Sequence, residues 1–316
     1  MVRIATNSPG ANMHLLGIDV GGTSTRVVCC DEHARVEGVG AGSGVNPRSA
    51  VGDPVENLTL AIRQALGDEP VGVAAVAVGA AGAGTAGREG IVGIVREGLR
   101  RAGVDATATV DTDLAVAFRS AAPASNGRLV LAGTGAAAVR YERWRQVRRA
   151  DGLGWLLGDE GSGAWLGREI LRRVAAHLDG RAAPTALTVP VLAHFGIEPT
   201  DDDLPQRLVR ATDGTRAAHW ARLAPLALDR DGDPAASALL DDAARALTIA
   251  AETVGGAPTV LAGGLLAVGG LRRRVEERLG PCVFASHPVV GACALAAEQA
   301  GVALDRDALT AALAAR

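Results

Sequence analysis

The sequence predicts an α/β fold divided into two domains, and three observations lead to this prediction. The chain has 316 residues, which is long enough for two domains of ordinary size. Residues 15–30 contain two apolar runs joined by a Gly-Gly-Thr-Ser-Thr turn, a pattern typical of a β-hairpin. Residues 128–142 show a second pair of apolar runs around a Gly-Thr-Gly turn. Each half of the chain therefore opens on the same motif, and the turn at 123–127 marks the boundary between the halves.

The composition excludes several kinds of partner. Hydrophobic residues make up 48% of the chain and charged residues 21%, as in soluble globular proteins. The formal net charge of −3 provides no electrostatic footprint for nucleic acid, and we interpret the arginine run at 143–149 as a solvated face. No apolar run is long enough to predict a membrane span, and residues 1–12 lack the apolar segment of a signal peptide. We therefore expect no nucleic-acid or membrane partner, and a disordered leader over residues 1–12.

The basic residues are all arginine, since the chain contains no lysine. This excludes a Walker A phosphate loop, a protein-kinase fold and a pyridoxal enzyme, each of which needs a lysine. A phosphate site would have to be built from backbone amides, hydroxyl groups and a metal ion. The four cysteines form no CxxC pair and no zinc-binding spacing, so we expect a reducing, cytoplasmic location.

The first hairpin turn has the chemistry of a phosphate-binding loop. Gly21 and Gly22 can adopt positive φ angles, so backbone N–H groups can close around an anion. Residues 23–25 add hydroxyl donors, and Asp19 at the end of the first apolar run is suitably placed to anchor hydrated Mg²⁺ beside phosphates. An ordinary glycine-rich hairpin is the alternative interpretation, and this stretch alone does not decide between the two.

In the first half of the chain, local signals predict further helices and strands. Residues 38–48 are predicted to form a flexible glycine-rich loop with Asn46-Pro47 as its fixed polar point. The next helix begins at the cap Asp53 and ends at Gly67. Three elements follow: a strand over 71–79, a helix over 91–102 and a strand over 106–110.

Two carboxylates, Asp111 and Asp113, follow the last of these strands, and a helix starts at Leu114. Open α/β sheets place ligand-contacting residues at the carboxyl ends of their strands. Either carboxylate could equally cap the helix, so both interpretations stay open at this point.

The second half contains the most specific segment of the chain, residues 151–163. Its glycine and polar positions surround Trp155-Leu156-Leu157, which we predict to pin the loop to the domain. Asp159 and Glu160 precede a helix predicted over 164–178, and the dipole of that helix favours anions at this end. Capping alone would account for one acid there, but not for the density of glycines.

The remainder of the second half is predicted to be mainly helical, with Trp220 and Phe195 in the core. The predicted helices cover 187–195, 206–210, 216–228 and 233–254, and the last begins at Asp233 with another Asp-Pro start. A strand is predicted over 259–262, and Gly263-Gly264 follows it directly. Because these two residues have no side chains, an adenine ring could stack flat on them. Helices over 271–279 and 289–300 follow.

Six motifs follow one another in a fixed order: residues 17–23, 46–47, 111–113, 132–135, 158–163 and 262–264. Together they resemble the N-acetylglucosamine kinase branch of the BadF/BadG/BcrA/BcrD ATPase family, within the actin-like sugar-kinase superfamily. The resemblance covers about residues 14–300, and Gly-Asp-Glu-Gly-Ser-Gly after Trp-Leu-Leu is its most specific part. It implies two actin-like (ribonuclease H-like) domains around a central cleft. These are an N-terminal domain over 13–122, with the sugar and phosphate loops, and a C-terminal domain over 123–300, with a helical insertion on the nucleotide side.

The resemblance also implies roles for individual residues. Asp113 corresponds to the general base. The sugar-binding residues are Asn46, Asp113, Gly152, Asp159 and Gly163. The nucleotide phosphates are held by Gly21, Gly22, Thr23, Gly133, Thr134 and Gly135, and the adenosine by Gly263 and Gly264. Asp19 stays the candidate for holding Mg²⁺ through water.

The implied reaction is ATP-dependent phosphorylation of the 6-hydroxyl of an amino sugar, with Mg²⁺ as cofactor. Arg48 and Ala150 stand where animal members of the family have an aromatic residue and a cysteine near the C2 substituent of the sugar. A cation near C2 would repel the ammonium group of glucosamine, which favours N-acetylglucosamine. The alternatives are a kinase for glucosamine or another hexose, an ATPase that drives a partner protein, and a sugar sensor without turnover. A homodimer also stays open.

Overall fold

The computed structural model of the protein describes residues 13–21, 24–45, 52–67, 72–84, 87–267 and 269–316. The chain divides into two compact units. The first unit comprises the residues up to Ala121 together with Ser286–Arg316, and the second comprises Ala122–Ala285. Across the described ranges, no helix is both long and apolar enough to cross a membrane.

The first unit is built on a mixed sheet of five strands. The strands are β1 (His14–Val20), β2 (Ser24–Asp31), β3 (Val36–Ser43), β4 (Val73–Ala80) and β5 (Ala108–Thr112). Their order in the sheet is β3-β2-β1-β4-β5, with β1, β2 and β3 antiparallel and β1, β4 and β5 parallel. The first predicted hairpin is confirmed as β1–β2, and its apolar residues are buried in the core.

The second unit contains a five-stranded sheet of the same topology. Its strands are β6 (Gly127–Ala132), β7 (Ala136–Glu142), β8 (Arg145–Asp151), β9 (Thr259–Ala262) and β10 (Cys282–Phe284). The order is β8-β7-β6-β9-β10, again with three antiparallel strands followed by parallel pairing of β6, β9 and β10. The second predicted hairpin is confirmed as β6–β7. The arginine run predicted as a solvated face forms the edge strand β8, whose residues 145–149 are exposed.

The helices surround these two sheets. In chain order they are α1 (Pro54–Leu66), α2 (Arg88–Arg101), α3 (Asp113–Ala121), α4 (Gly163–Leu178), α5 (Thr188–His194), α6 (Leu204–Thr212), α7 (Ala217–Trp220), α8 (Ala224–Leu228), α9 (Pro234–Val254), α10 (Gly270–Leu279), α11 (Pro288–Ala300) and α12 (Arg306–Ala314). Two 3₁₀ helices cover Ala221–Leu223 and Gly264–Leu266. The helices α4 to α9, which lie between β8 and β9 in the chain, supply most of the hydrophobic core of the second unit.

Several helix starts follow directly from local side-chain chemistry. The Asp53 carboxylate accepts a 2.9 Å hydrogen bond from the backbone N–H of Val55 and so caps α1, as predicted. Asp233 caps α9 in the same way, through the N–H groups of Ala235 and Ala236. Each of these caps uses residues two or three positions apart, which explains why the sequence alone predicts them.

The prediction of a flexible loop over residues 38–48 is wrong for its first part, because Val36–Ser43 forms β3. Gly38 and Gly40 face α1, and a Cβ atom at either position would overlap a backbone carbonyl of that helix, at Ala65 and Ala61 respectively. The glycines therefore let α1 pack directly on the strand backbone. The predicted sugar ligand Asn46 and its neighbour Arg48 lie outside the described residues.

The C-terminal segment belongs to the first unit, whereas the sequence-based boundaries placed residues up to 300 in the second domain. Helix α11 covers one face of the first sheet. Its Cys293 lies directly against Gly17 of β1, where a Cβ atom would overlap the thiol. Val289, Val290 and Cys293 share a buried cluster with Leu15 and other residues of that sheet face. Burial of this apolar face against β1 and β4 is the physical reason for the difference.

The contact between α11 and α3 gives a testable prediction for stability. A Cβ atom at Gly291 of α11 would overlap the backbone carbonyl of Val116 in α3 and lie 2.8 Å from the amide nitrogen of Ser120. We expect Gly291→Ala to destabilise the protein by about 1–3 kcal/mol, because backbone atoms must move apart. Thermal unfolding followed by circular dichroism measures the effect.

The matched control is Gly93→Ala in α2, because a Cβ atom there meets nothing within 4 Å. This change should stabilise the protein by up to about 1 kcal/mol, since alanine has the higher helix propensity. A Gly291→Ala variant that melts at or above the wild-type temperature would contradict the close approach of α11 and α3.

Candidate active site

In the first unit, polar residues collect at the carboxyl edge of the parallel strands. Asp19 on β1, Gly79 on β4 and Asp111 on β5 lie in one row across the sheet. A Cβ atom on Gly79 would overlap the side chain of Val116. The absence of that atom lets α3 pack directly on the sheet between the two carboxylates. The packing brings the first residue of α3, Asp113, to the same edge.

The structure separates the roles of the two candidate carboxylates that follow β5. The hydroxyl of Thr112 accepts a 3.1 Å hydrogen bond from the N–H of Ala115 and so caps α3. Asp111 accepts a 2.7 Å hydrogen bond from the N–H of Thr112. Asp113 occupies the first turn of the helix. The cap of α3 is therefore the Thr112 hydroxyl, and Asp113 follows it in the first turn of the helix, at the edge of the sheet.

Asp19 is electrostatically unusual. Burial, followed by the nearby carboxylate of Asp113, raises the pKa of Asp19 to about 7, although Arg26 on β2 acts in the opposite direction. A carboxylate with so high a pKa gains from an added cation, which would hold it in the charged form. Within the described part of the chain, no three metal-binding side chains come together. Mg²⁺ binds one or two carboxylates and takes its other ligands from water and phosphates, so the Asp19 carboxylate would be a fitting ligand for this ion.

The turn between β1 and β2 is described only in part. The N–H of Gly21 donates a 2.8 Å hydrogen bond to the carbonyl of Ser24, which closes the turn. The predicted phosphate ligands Gly22 and Thr23 lie outside the described residues. Their role, like that of Gly21, stays a prediction.

In the second unit, the turn between β6 and β7 is held against the start of α4. Gly133 and Thr134 accept hydrogen bonds from the N–H groups of Gly163 and Ala164, at 2.8 and 3.1 Å. Ser162 caps the helix, accepting a 3.1 Å hydrogen bond from the N–H of Trp165. The hairpin turn and the amino end of α4 therefore form one rigid piece. Because the Gly163 N–H is used in this contact, any sugar contact of Gly163 would have to use another atom.

Gly263, at the end of the neighbouring strand β9, packs against the same β6–β7 turn. Its φ angle is +93°, and a Cβ atom there would overlap the carbonyl of Ala132 and lie 2.9 Å from the nitrogen of Gly133. A glycine is therefore required where β9 ends, directly behind the β6–β7 turn. A Cβ atom at Gly264 meets nothing within 4 Å, so a flat ring has open space at this position.

Asp159 lies beside the β6–β7 turn. Its carboxylate oxygen would be 2.9 Å from a Cβ atom on Gly135, so only a glycine allows this approach. Burial raises the pKa of Asp159 and the nearby Asp151 carboxylate adds to the rise, while the backbone amides of Ala136 and Gly154 favour its charged form. The candidate sugar ligand and the candidate phosphate turn are thus direct neighbours.

The loop that carries Asp159 is not anchored as predicted. Trp155, Leu156 and Leu157 were expected to pin it to the domain, but their exposed fractions are 45%, 71% and 76%. Trp155 makes an edge-to-face contact with Trp220, with 5.2 Å between ring centroids, and Trp220 is half-buried rather than part of the core. Polar contacts hold the loop instead. Arg149 donates a 2.9 Å hydrogen bond to the carbonyl of Gly152, another predicted sugar ligand.

Sequence reasoning missed Asp151, the residue that holds the base of this loop. Its two carboxylate oxygens accept hydrogen bonds from the N–H groups of Asp159 and Glu160, at 2.7 and 2.8 Å. The residues lie eight and nine positions apart, a distance for which no local motif exists. The only available signal is the glycine at 158, which leaves room for the carboxylate.

The two units share one topology, and each carries a glycine-containing hairpin turn next to a carboxylate. The fold is that of the actin-like sugar kinases. Residues 16–279 match the BadF/BadG/BcrA/BcrD ATPase family, and the chain belongs to this family.

The sequence identity between this chain and individual relatives is low. An N-acetyl-D-glucosamine kinase from Dictyostelium discoideum is 32% identical over 126 residues, a match that spans 38% of this chain and 38% of that relative. A candidate N-acetylglucosamine kinase from Chromobacterium violaceum has a similar crystal structure, with a TM-score of 0.66 and 26% identity over 89% of this chain and 98% of that one.

A glucokinase of the ROK family from Streptomyces griseus, solved with glucose and AMPPNP, has a TM-score of 0.58 and 18% identity. The match covers 90% of this chain and 99% of that chain. At this level of identity, the likeness concerns the fold alone.

Proposed function

We propose that the protein is an ATP-dependent kinase that phosphorylates the 6-hydroxyl of an amino sugar, with N-acetylglucosamine as its preferred substrate. Membership of an ATPase family supports the use of ATP. The two relatives named as N-acetylglucosamine kinases support a sugar acceptor of this class.

The observation that carries the proposal is the pair of carboxylates at the edge of the first sheet. The charge of Asp113 disfavours the charged form of Asp19, and Asp19 is mostly withdrawn from water, with part of its side chain still exposed. Two adjacent carboxylates of this kind divide the work of phosphoryl transfer. Asp19 would hold Mg²⁺ through water, and Asp113 would accept the proton of the attacking hydroxyl.

The rest of the chemistry is positioning and neutralisation of charge, which this chain can supply without lysine. The two hairpin turns would face the phosphates, with backbone amides offered by Thr134 and Gly135, because the N–H groups of Gly21 and Gly133 already close their own turns. Gly263-Gly264 would accept the adenosine. When bound, Mg²⁺ would neutralise charge that develops on the transferred phosphate. Asp159 would hold ring hydroxyls of the sugar through charge-assisted hydrogen bonds.

A coupled assay for ADP release over a panel of hexoses and hexosamines tests the proposal. We expect ADP release in the presence of Mg²⁺ and ATP to rise strongly with N-acetylglucosamine, with formation of the 6-phosphate confirmed by mass spectrometry. ADP release that no sugar stimulates would instead favour an ATPase that drives a partner protein. Binding of a sugar without turnover would favour a sensor.

The preference at C2 is a separate prediction. Ala150 on β8 lies opposite Ala138, so both side chains at this point of the sheet are small. Together with a cation at Arg48, this would accommodate a neutral acetamido group and disfavour an ammonium group. We expect kcat/KM to be higher for N-acetylglucosamine than for glucosamine at neutral pH. A preference of about tenfold or more for glucosamine would show that Arg48 does not act on C2.

A further inference from the structure

The carboxylate of Asp151 has no part in the proposed reaction itself, but it contacts the loop that carries Asp159. It ends the edge strand β8 with a φ angle of +61°, a conformation that is uncommon for a residue with a side chain. From there it reaches across the base of the loop to the N–H groups of Asp159 and Glu160, at 2.7 and 2.8 Å. Each carboxylate oxygen is used once, so the contact fixes both the position and the rotation of the Asp159 backbone.

The neighbouring residues are shaped around this contact. A Cβ atom on Gly158 would overlap the Asp151 carboxylate. Arg149 holds the other side of the anchor, donating hydrogen bonds of 3.0 Å to the carbonyl of Asp151 and 2.9 Å to that of Gly152. The strand end is therefore rigid, and the loop is closed onto it.

Apart from the edge contact of Trp155 with Trp220, the apolar side chains of the loop pack little against the domain. Leu153, Leu156 and Leu157 are exposed to 67%, 71% and 76%. The N–H groups of residues 157 and 158 donate to the carbonyl of Gly154 within the loop, and Arg168 of α4 donates a long 3.3 Å hydrogen bond to the carbonyl of Trp155. Asp159 itself has a φ angle of +56°, so it must be held in a conformation that it would not choose alone.

We infer that Asp151 is a positioning residue that aims the Asp159 carboxylate at the sugar, and that it thereby sets the affinity for the sugar rather than the rate of phosphoryl transfer. This inference rests on the proposed function. The nucleotide turn has contacts of its own to Gly163 and Ala164 of α4, so the larger effect of Asp151 is expected on the sugar.

Steady-state kinetics of Asp151→Asn test the inference. The amide keeps one acceptor and places an N–H₂ group against a donor, so the loop loses one of its two anchoring bonds. We expect the KM for the sugar to rise about tenfold or more, with little change in kcat or in the KM for ATP. Among the residues that the structure describes, the charges that act on Asp159 are those of Asp151 and Arg149. Loss of the Asp151 charge should therefore also move the acid limb of kcat/KM to lower pH.

A merely structural role would reduce the active fraction, which lowers kcat and leaves the KM and the pH profile unchanged. The control variant is Asp179→Asn, which removes one exposed carboxylate from the same unit and should leave all constants unchanged. If Asp151→Asn does not fold, Gly158→Ala serves as the second variant. It keeps Asp151 but displaces its carboxylate from the amides, and the same rise in sugar KM is expected.

Hydrogen exchange followed by mass spectrometry separates this inference from the proposed function. The segment 152–162 should exchange faster in Asp151→Asn than in the wild type or in Asp179→Asn, whatever the enzyme phosphorylates. Unchanged exchange, or an unchanged sugar KM in a folded and active variant, would overturn the inference. A wild-type protein that phosphorylates no sugar would overturn the proposed function and, with it, the assignment to the sugar.

Discussion

Asp113→Asn is expected to lower kcat for N-acetylglucosamine by about 10²- to 10⁴-fold, which is the usual contribution of a general base. Asparagine has the same shape and can still hydrogen-bond the sugar, but it cannot accept a proton from the 6-hydroxyl. The KM for the sugar should therefore change little. Steady-state kinetics in the coupled ADP assay measure both quantities, and circular dichroism shows whether the variant is folded.

Asp111→Asn is the matched control, because Asp111 lies two residues earlier and its carboxylate accepts a hydrogen bond from the N–H of Thr112. Its effect on kcat should be much smaller. Near-normal turnover in Asp113→Asn together with a large loss in Asp111→Asn would assign the base to Asp111 and contradict the proposal.

Asp19→Asn is expected to make the protein more stable and less active at the same time. The folded-state pKa of Asp19 lies at about 7, above its ordinary value of 3.8, so folding takes up a proton between these values. Stability therefore falls as the pH rises from about 4 to about 7, and the loss is complete above the folded-state pKa. Asparagine carries no charge and removes this cost.

We expect Asp19→Asn to gain about 1–2 kcal/mol at pH 8 in the absence of Mg²⁺, a value discounted because the side chain is partly exposed. The gain should be smaller at pH 5. Kinase activity should fall by about 10- to 100-fold, as for the loss of an outer-sphere contact to a metal. Thermal unfolding at the two pH values and kinetics over a range of Mg²⁺ concentrations measure these effects.

Asp105→Asn controls for the loss of a carboxylate, because Asp105 is exposed in the same unit. It should leave the melting temperature and the activity unchanged. An Asp19→Asn variant that is less stable than the wild type at pH 8 would mean that the charged form of Asp19 stabilises the fold, contrary to the prediction.

The sequence by itself determined those features that depend on residues close together in the chain. The hairpins β1–β2 and β6–β7 are confirmed, because a short glycine-containing turn between two apolar runs allows the chain few other conformations. The caps at Asp53 and Asp233 are confirmed because each carboxylate reaches only two or three residues ahead. The repeat of the hairpin motif also predicted two α/β units, whose sheets have the same topology.

The tertiary structure decided which partner each segment has. The glycines at 38, 40 and 42 predicted a loop, but in the structure α1 packs on them. A glycine that is needed for close packing cannot be told from the sequence apart from a glycine that is needed for flexibility. Likewise, the apolar face of α11 could cover either sheet, and only its burial against β1 and β4 assigns it to the first unit.

The same distinction applies to the candidate site. The residues alone indicated Asp19 beside the first hairpin turn and Asp113 after a strand, and the family resemblance implied the roles of Asp113 and Asp159. Neither the rise in the pKa of Asp19 nor the anchoring of Asp159 by Asp151 could be predicted, because both depend on burial and on partners that the chain brings together only when it folds. Local chemistry is encoded in neighbouring residues, whereas desolvation and long-range contacts exist only in the folded chain.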